Sequence, residues 1–309
     1  MPSLDGATGW LNSEPLGPVQ LRERVVVVNF WTLTCINWLR QEPYVREWSR
    51  AYRDDGLIVV GVHTPEFSFE HGIDAVRRAT EERAIDYPVA TDDDYEIWRT
   101  FENHYWPALY FVDRDGVVRD HHFGEGRYQQ SELQIQRLLR VAREPASVEG
   151  TGVEAEADWD HLRTPETYLG YARGERFAGR DGAALDVRRA YELPEVLPSN
   201  RWGLDGEWTI GRERAVLEAA GGRIACRFHA RDAHLVLSRG EGNPIRFSVL
   251  LDGEPPGESH GEDIDSSGQG LLADGRLYQL TRERAAVRER TLEISFLEPG
   301  AEAYAFTFG

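Results

Sequence analysis

Val25-Val26-Val27-Val28-Asn29-Phe30-Trp31 is a nearly unbroken apolar run, the pattern of a strand buried on both faces. A helical stretch follows from Cys35 to about Arg53, where Tyr44, Trp48 and Tyr52 recur at i, i+4 and i+8. Leu57 to Val62 is a second buried strand. Ile73 to Ala84 and Tyr95 to Phe101 read as helices, the latter led by Asp92, Asp93 and Asp94 as candidate caps. Leu109 to Asp113 and Val117 to His122 form a hairpin across Arg114-Asp115-Gly116, because Asp-Gly favours tight turns. A last helix is expected from Ser131, since Ser131-Glu132-Leu133-Gln134 has the form of a capping box. Strands and helices thus alternate from Val25 to about Arg143, predicting an α/β layer structure behind an irregular N-terminal arm.

Beyond about residue 200 the period drops to two. Ile224, Cys226 and Phe228 alternate with Arg223, Ala225 and Arg227, and Phe247, Val249 and Leu251 follow the same pattern. So do Leu292, Ile294 and Phe296, and then Tyr304, Phe306 and Phe308, with Asp252-Gly253 and Asp274-Gly275 as turns. Many short alternating strands predict an all-β sandwich. Residues 144 to about 160 are acidic and rich in Gly and Ala, as a linker would be. The expected organisation is an α/β domain over 1–145, a linker over 146–165 and a β-sandwich over 166–309.

Charge narrows the partners. The 309-residue chain carries 35 basic against 53 acidic residues, a net charge of -18, and every basic residue is Arg. Such a surface repels phosphate backbones and anionic lipid, so neither nucleic acid nor a membrane is expected as a partner. Mean hydropathy is -0.51, and no apolar run approaches the ~20 residues of a membrane span. Met1 to Gln20 has no basic start and no apolar core, which sets the expectation of a cytoplasmic protein. Two cysteines, Cys35 and Cys226, make neither a disulfide framework nor a cysteine-rich zinc site. His121 and His122 are strand neighbours whose side chains point to opposite faces. No metal or other cofactor is expected.

Chemistry concentrates at Phe30-Trp31-Thr32-Leu33-Thr34-Cys35-Ile36-Asn37-Trp38, where a buried strand gives way to a helix. A thiol in the first helical turn meets unpaired N–H groups and the positive end of the dipole, both of which favour thiolate. Trp106-Pro107-Ala108 leads into the strand at Leu109, and a proline there is a candidate for a cis peptide bond.

These residues carry a resemblance. Asn29-Phe30-Trp31-Thr32, Cys35-Ile36-Asn37, Gly61-Val62-His63-Thr64-Pro65-Glu66, Tyr105-Trp106-Pro107-Ala108 and His122-Phe123-Gly124-Glu125-Gly126 are similar to motifs of the thioredoxin-fold redoxins. The branch is that of the TlpA-type proteins and the C-terminal region of DipZ-like proteins, AhpC/TSA-like redoxins in a broad sense. The 72 residues from Cys35 to Pro107 fit that branch's extra helix and strand, and Ala303-Tyr304-Ala305-Phe306-Thr307-Phe308-Gly309 resembles the end of its sandwich, which is similar to a carbohydrate-binding module. The resemblance implies a thioredoxin fold, with Cys35 as the attacking thiol and Pro107 as the cis-proline beside it. It also implies a role in redox homeostasis or antioxidant defence.

One departure stands out. Relatives carry Cys-x-x-Cys, whereas here the second position is Trp38, so the resolving thiol of a dithiol reductase is missing. Asn29 likewise stands where thioredoxins proper carry a buried, proton-shuttling acid.

Three functions follow as expectations. The first is thiol–disulfide chemistry through Cys35 on a protein disulfide, resolved by a small thiol. The second is a one-cysteine peroxidase, motivated by Thr32 three residues before Cys35. The third is a redox-inactive binding protein whose sandwich takes a glycan or a protein. Trp38 either shields the thiol or fills core. Trp31, Trp106, His63 and Glu125 are candidate substrate contacts, Glu125 as a proton donor and His63 as a group that tunes the thiol. Cys226 reads as a small buried hydrophobe or, if the two domains fold together, a partner for Cys35. Trp202 and Trp208 read as sandwich core or as platforms for sugar.

Overall fold

A computed structural model describes residues 1–240 and 242–309. The chain divides into two units, Met1–Ala155 and Glu156–Gly309.

The first unit runs β1 (Gly9–Leu11), α1 (Pro18–Leu21), β2 (Val25–Trp31), α2 (Ile36–Ala51), β3 (Leu57–His63), α3 (Ile73–Glu82), β4 (Val89–Thr91), α4 (Glu96–Thr100), β5 (Ala108–Val112), β6 (Val118–Phe123) and α5 (Tyr128–Leu139). Its six-stranded sheet has the order β1-β4-β3-β2-β5-β6. β2 pairs β3 in parallel and β5 in antiparallel register. This is the thioredoxin-like mixed sheet. The two central strands are buried along almost their whole length, as their unbroken apolar sequences require. On one face Val26, Val28, Phe30, Val60, Val62 and Tyr110 pack with Ile97 and Phe101.

Several boundaries differ from expectation. The N-terminal arm contributes β1, an edge strand on β4, whose three residues are too few to show a period. α5 starts at Tyr128, so Ser131 and Glu132 lie inside the helix and no capping box forms. The Glu132 carboxylate instead accepts Trp48 Nε1–H at 3.1 Å and the Tyr52 hydroxyl at 2.6 Å. The N-cap of α4 is Tyr95, and Asp92 serves the first turn from three residues further back, accepting the N–H groups of Ile97 and Trp98 at 2.9 and 2.8 Å. The expected linker is partly laid onto the first unit. Ala146 N–H donates to Glu132, Tyr44 to the Val148 carbonyl, and Arg83 pairs with Glu154 at 3.1 Å. These ties carry the first unit through to Ala155.

The second unit comprises β7 (Thr167–Tyr168), β8 (Arg188–Tyr191), β9 (Trp202–Ile210), β10 (Ala215–Leu217), β11 (Arg223–His229), β12 (Asp232–Arg239), β13 (Ile245–Leu251), β14 (Gln269–Leu272), β15 (Arg276–Arg282), β16 (Glu289–Phe296) and β17 (Ala301–Phe308). The sheet path is β14-β13-β16-β11-β9-β10-β17-β12-β15, with β7 on β17 and β8 on β9. The sheet curls because β9 serves both halves, pairing β11 through Trp202–Asp205 and β10 through Trp208–Ile210. Phe247, Ile294 and Cys226 from one half join Leu235, Tyr278 and Phe306 from the other in a single core. Trp202 and Trp208 belong to that core, and their indole N–H groups donate to the carbonyls of Glu175 and Asp205, both at 2.8 Å. This burial removes them as stacking platforms for sugar.

Candidate functional site

Register alone gathers the site at one end of the first sheet. Trp31 ends β2 opposite His63, the last residue of β3, and Phe30 lies opposite Ala108, the first of β5. Ala108 in turn lies opposite Phe123, the last of β6. The segments that leave these strands therefore converge: 32–35, 64–70, 105–107 and 124–126. Hydrogen bonds lock them together. Thr64 N–H donates to the Trp31 carbonyl at 3.0 Å and Gly124 N–H to the Pro107 carbonyl at 2.8 Å. Trp106 Nε1–H reaches the Thr64 carbonyl at 3.0 Å. The Trp106–Pro107 peptide bond is cis.

Cys35 is the N-cap of α2, with extended backbone (φ -74°, ψ 109°), and its carbonyl accepts Leu39 N–H at 3.0 Å. It is partly exposed, and both cysteines are present as thiols. Placement at the cap leaves the first-turn N–H groups of α2 without helical partners, at the end of the helix where the dipole is positive. Cys226 is the opposite case. It is wholly buried on β11, and burial pushes its thiol up to about 12.

The other candidate residues sort by burial. Trp38 is fully enclosed and stacked on Trp31, ring centroids 4.2 Å apart at 17°, with the Arg83 guanidinium 5.7 Å from its ring. It fills core. Trp31 and His63 are also fully buried, His63 packing edge-on against Trp31 at 4.8 Å, so neither lines a surface that a substrate reaches. Burial drives the His63 imidazole down to about 3 and keeps it neutral. Thr32, on which the peroxide reading rested, is likewise buried, and its hydroxyl oxygen accepts Glu66 N–H at 3.3 Å. Glu125 is not a solvated loop acid. It pairs with Arg40 of α2 at 2.9 Å, with both side chains nearly enclosed. Trp106 and Pro107 stay in the strand-end cluster, where Trp106 rests on Trp98 at 4.3 Å.

Three polar residues complete the site, and two of them, Gln41 and Glu70, had no signal in the sequence pattern. Asn29 Nδ2–H donates to Gln41 Oε1 at 2.9 Å, and Gln41 Nε2–H to the Gly124 carbonyl at 3.2 Å. This short relay ties β2 through α2 to the Gly124 loop, whose own N–H bonds the Pro107 carbonyl. The third residue, Glu70, is fully buried and bonds to Thr34, directly before Cys35. Among the described residues no group of three or more His, Cys, Asp and Glu side chains is placed to hold a metal, and no helix is long and apolar enough to cross a membrane.

Comparison with known proteins matches the same two halves. Residues 14–121 fit the AhpC/TSA family and residues 164–309 a thioredoxin-like C-terminal domain. Protein DipZ of Mycobacterium tuberculosis is 36% identical over 264 residues, which is 82% of this chain and 36% of DipZ. The chain thus spans about a third of the length of that relative. Thiol-disulfide oxidoreductase YkuV of Bacillus subtilis is 30% identical over 139 residues, 45% of this chain and 93% of YkuV. A solved thioredoxin-like protein in its oxidised form is 31% identical, covering 45% of this chain and 94% of its own, with a TM-score of 0.42. A mixed sheet that presents Cys35 at a helix cap, matched along nearly the whole of one thiol-disulfide oxidoreductase, and a curled β-domain matched by the thioredoxin-like C-terminal domain family establish that the chain belongs to the thioredoxin-like redoxins of the DipZ C-terminal type.

Proposed function

We propose that the first unit exchanges disulfides through Cys35 alone, on protein or small-molecule substrates. The observation that carries this reading is the partly exposed thiol at the N-cap of α2, where oriented N–H groups favour the thiolate. The thiolate attacks one sulfur of a substrate disulfide. A bond forms between Cys35 and that sulfur, and the other sulfur leaves as a thiolate. With Trp38 in the second position, an external thiolate then attacks the substrate sulfur of the mixed disulfide. Cys35 leaves as thiolate, and a second external thiol completes the reduction. Cys226 is not the resolving group, because a thiol held at about 12 is ionised in only about one molecule in 10⁵ at pH 7.

The test is turnover of an insulin-type or aromatic disulfide with glutathione or dithiothreitol as the external thiol. Cys35→Ser abolishes turnover and Cys226→Ala preserves it. Absence of turnover by the native chain with any external thiol overturns the proposal.

A further inference from the structure

Ser68–Glu70 forms a short 3-10 turn after β3, and its last side chain folds inward to zero exposure. Glu70 Oε1 accepts the Thr34 N–H at 3.1 Å and the Thr34 hydroxyl at 2.8 Å. Its Oε2 accepts the N–H groups of Glu66 and Phe67 at 2.6 and 2.8 Å. One carboxylate therefore staples the residue preceding Cys35 to the loop that follows β3. Among the described residues no basic side chain pairs with Glu70, so dipoles alone support the charge. Burial, and then the neighbouring Glu66, push its carboxyl up to about 7 against the hydrogen bonds from Phe67, Thr34 and Thr32. A buried acid without a counter-charge is costly to keep, and this one holds the residue that precedes the nucleophile.

We propose that Glu70 is a positioning residue for Cys35: its carboxylate fixes the turn that opens α2, and its charge opposes that of the thiolate. The inference rests on the reading of Cys35 as the nucleophile. The ionisable groups bearing on Glu70 are few. Glu66 and His71 flank it in its own loop, His71 half-exposed and 3.8 Å from Asp93. On the α2 side Thr32 and Thr34 carry no charge, which leaves Cys35. On this proposal the two acids, linked through Thr34, must titrate as a pair, each ionisation disfavouring the other.

The experiment measures the rate of Cys35 alkylation by iodoacetamide from pH 5 to 10, in a Cys226→Ala background, for the native residue, Glu70→Gln, Glu70→Asp and Glu66→Gln. The native profile is expected to show two inflections. Glu70→Gln collapses it to one and moves the thiol midpoint down by about half a unit or more, with several-fold lower kcat/KM for disulfide turnover. Glu70→Asp retains the charge, and so both inflections, but cannot span both loops and loses turnover. Glu66→Gln leaves both inflections in place. Should Glu70→Gln fail to fold, carbon-13 NMR of the Glu70 carboxyl in otherwise native chains reads the same coupling, as a downward shift of its titration on Cys35→Ser replacement. A Glu70→Gln profile superimposable on the native one, or a Glu70 titration indifferent to Cys35, overturns the proposal. Turnover that survives Cys35→Ser overturns the reading beneath it instead, so the two failures are distinguishable.

Discussion

Replacing Trp38 by cysteine restores the missing resolving thiol and removes a wholly buried indole, so it perturbs chemistry and stability in opposite directions. Positions 35 and 38 are neighbours at i, i+3 on the opening turn of α2, a spacing whose Cα separation of roughly 5–6 Å suits a disulfide. The stability cost follows from what the ring touches. Truncating a buried Trp to Ala costs ~3–5 kcal/mol, and a cysteine sulfur refills only part of the void, so about 3 kcal/mol is expected. The stacking partner Trp31 and the Arg83 guanidinium lose contacts of ~0.5–1.5 and ~0.5–1 kcal/mol, included in that total. For a unit of this size 1 kcal/mol is worth ~2–4 °C, so the reduced Trp38→Cys chain should melt about 6–12 °C below the native one. Circular dichroism under reducing conditions reads the first effect. A single-turnover experiment without external thiol reads the second. The native chain stops at one released thiolate per Cys35, whereas Trp38→Cys releases both substrate sulfurs and ends as an intramolecular disulfide. A melting temperature within a degree of native would refute the assignment of Trp38 to core. Release of both sulfurs by the native chain would refute the monothiol mechanism.

Other residues give sharp expectations. Burial raises the Glu42 carboxyl to about 7 despite Arg46 and Arg83, so the folded chain holds that proton more tightly than the unfolded one. Its contribution to stability is therefore full below about pH 4.5 and lost as pH rises through 7, on the order of 3 kcal/mol; Glu42→Gln should flatten that decline in urea midpoints between pH 5 and 8. The buried His63 shifts the other way, its stability present above about pH 6.5 and lost as pH falls toward 3, so His63→Phe should blunt acid denaturation over that window. Arg40→Met leaves Glu125 charged and enclosed, a loss of ~3–5 kcal/mol in denaturant titration, most of it recovered in the double variant with Glu125→Gln. Cys226 should resist alkylation in the folded chain and react only on unfolding, as mass spectrometry of labelled peptides would show.

The parts of this fold that were legible from sequence share one property: their local pattern reports a burial decided along a single element. β2 and β3 are apolar at nearly every position because both faces are covered, and the strands of the second unit alternate because one face is. The cap position of Cys35 was legible for the same reason, since it marks where one period ends and another begins. What escaped depends on register between distant segments. β1 is three residues long and becomes a strand only because β4, some 80 positions later, offers its edge. Trp31 and His63 follow the pattern of residues near a nucleophile. Whether they line its rim or its core turns on packing from other elements, as Trp38 of α2 stacks on Trp31 and His63 packs edge-on against it, and no period within β2 or β3 reports that. Arg40, Gln41 and Glu125 look like solvated helix and loop residues until the pairing of Ala108 with Phe123 brings the Gly124 loop onto α2. The chemistry of the site thus has two sources. The helix cap places the thiol at the positive end of α2, and contacts between distant segments place buried charges in the same strand-end cluster. A thiol pKa inferred from the cap alone omits the second source, which is why Glu70, invisible to periodicity, is the residue whose removal tests the electrostatics of Cys35.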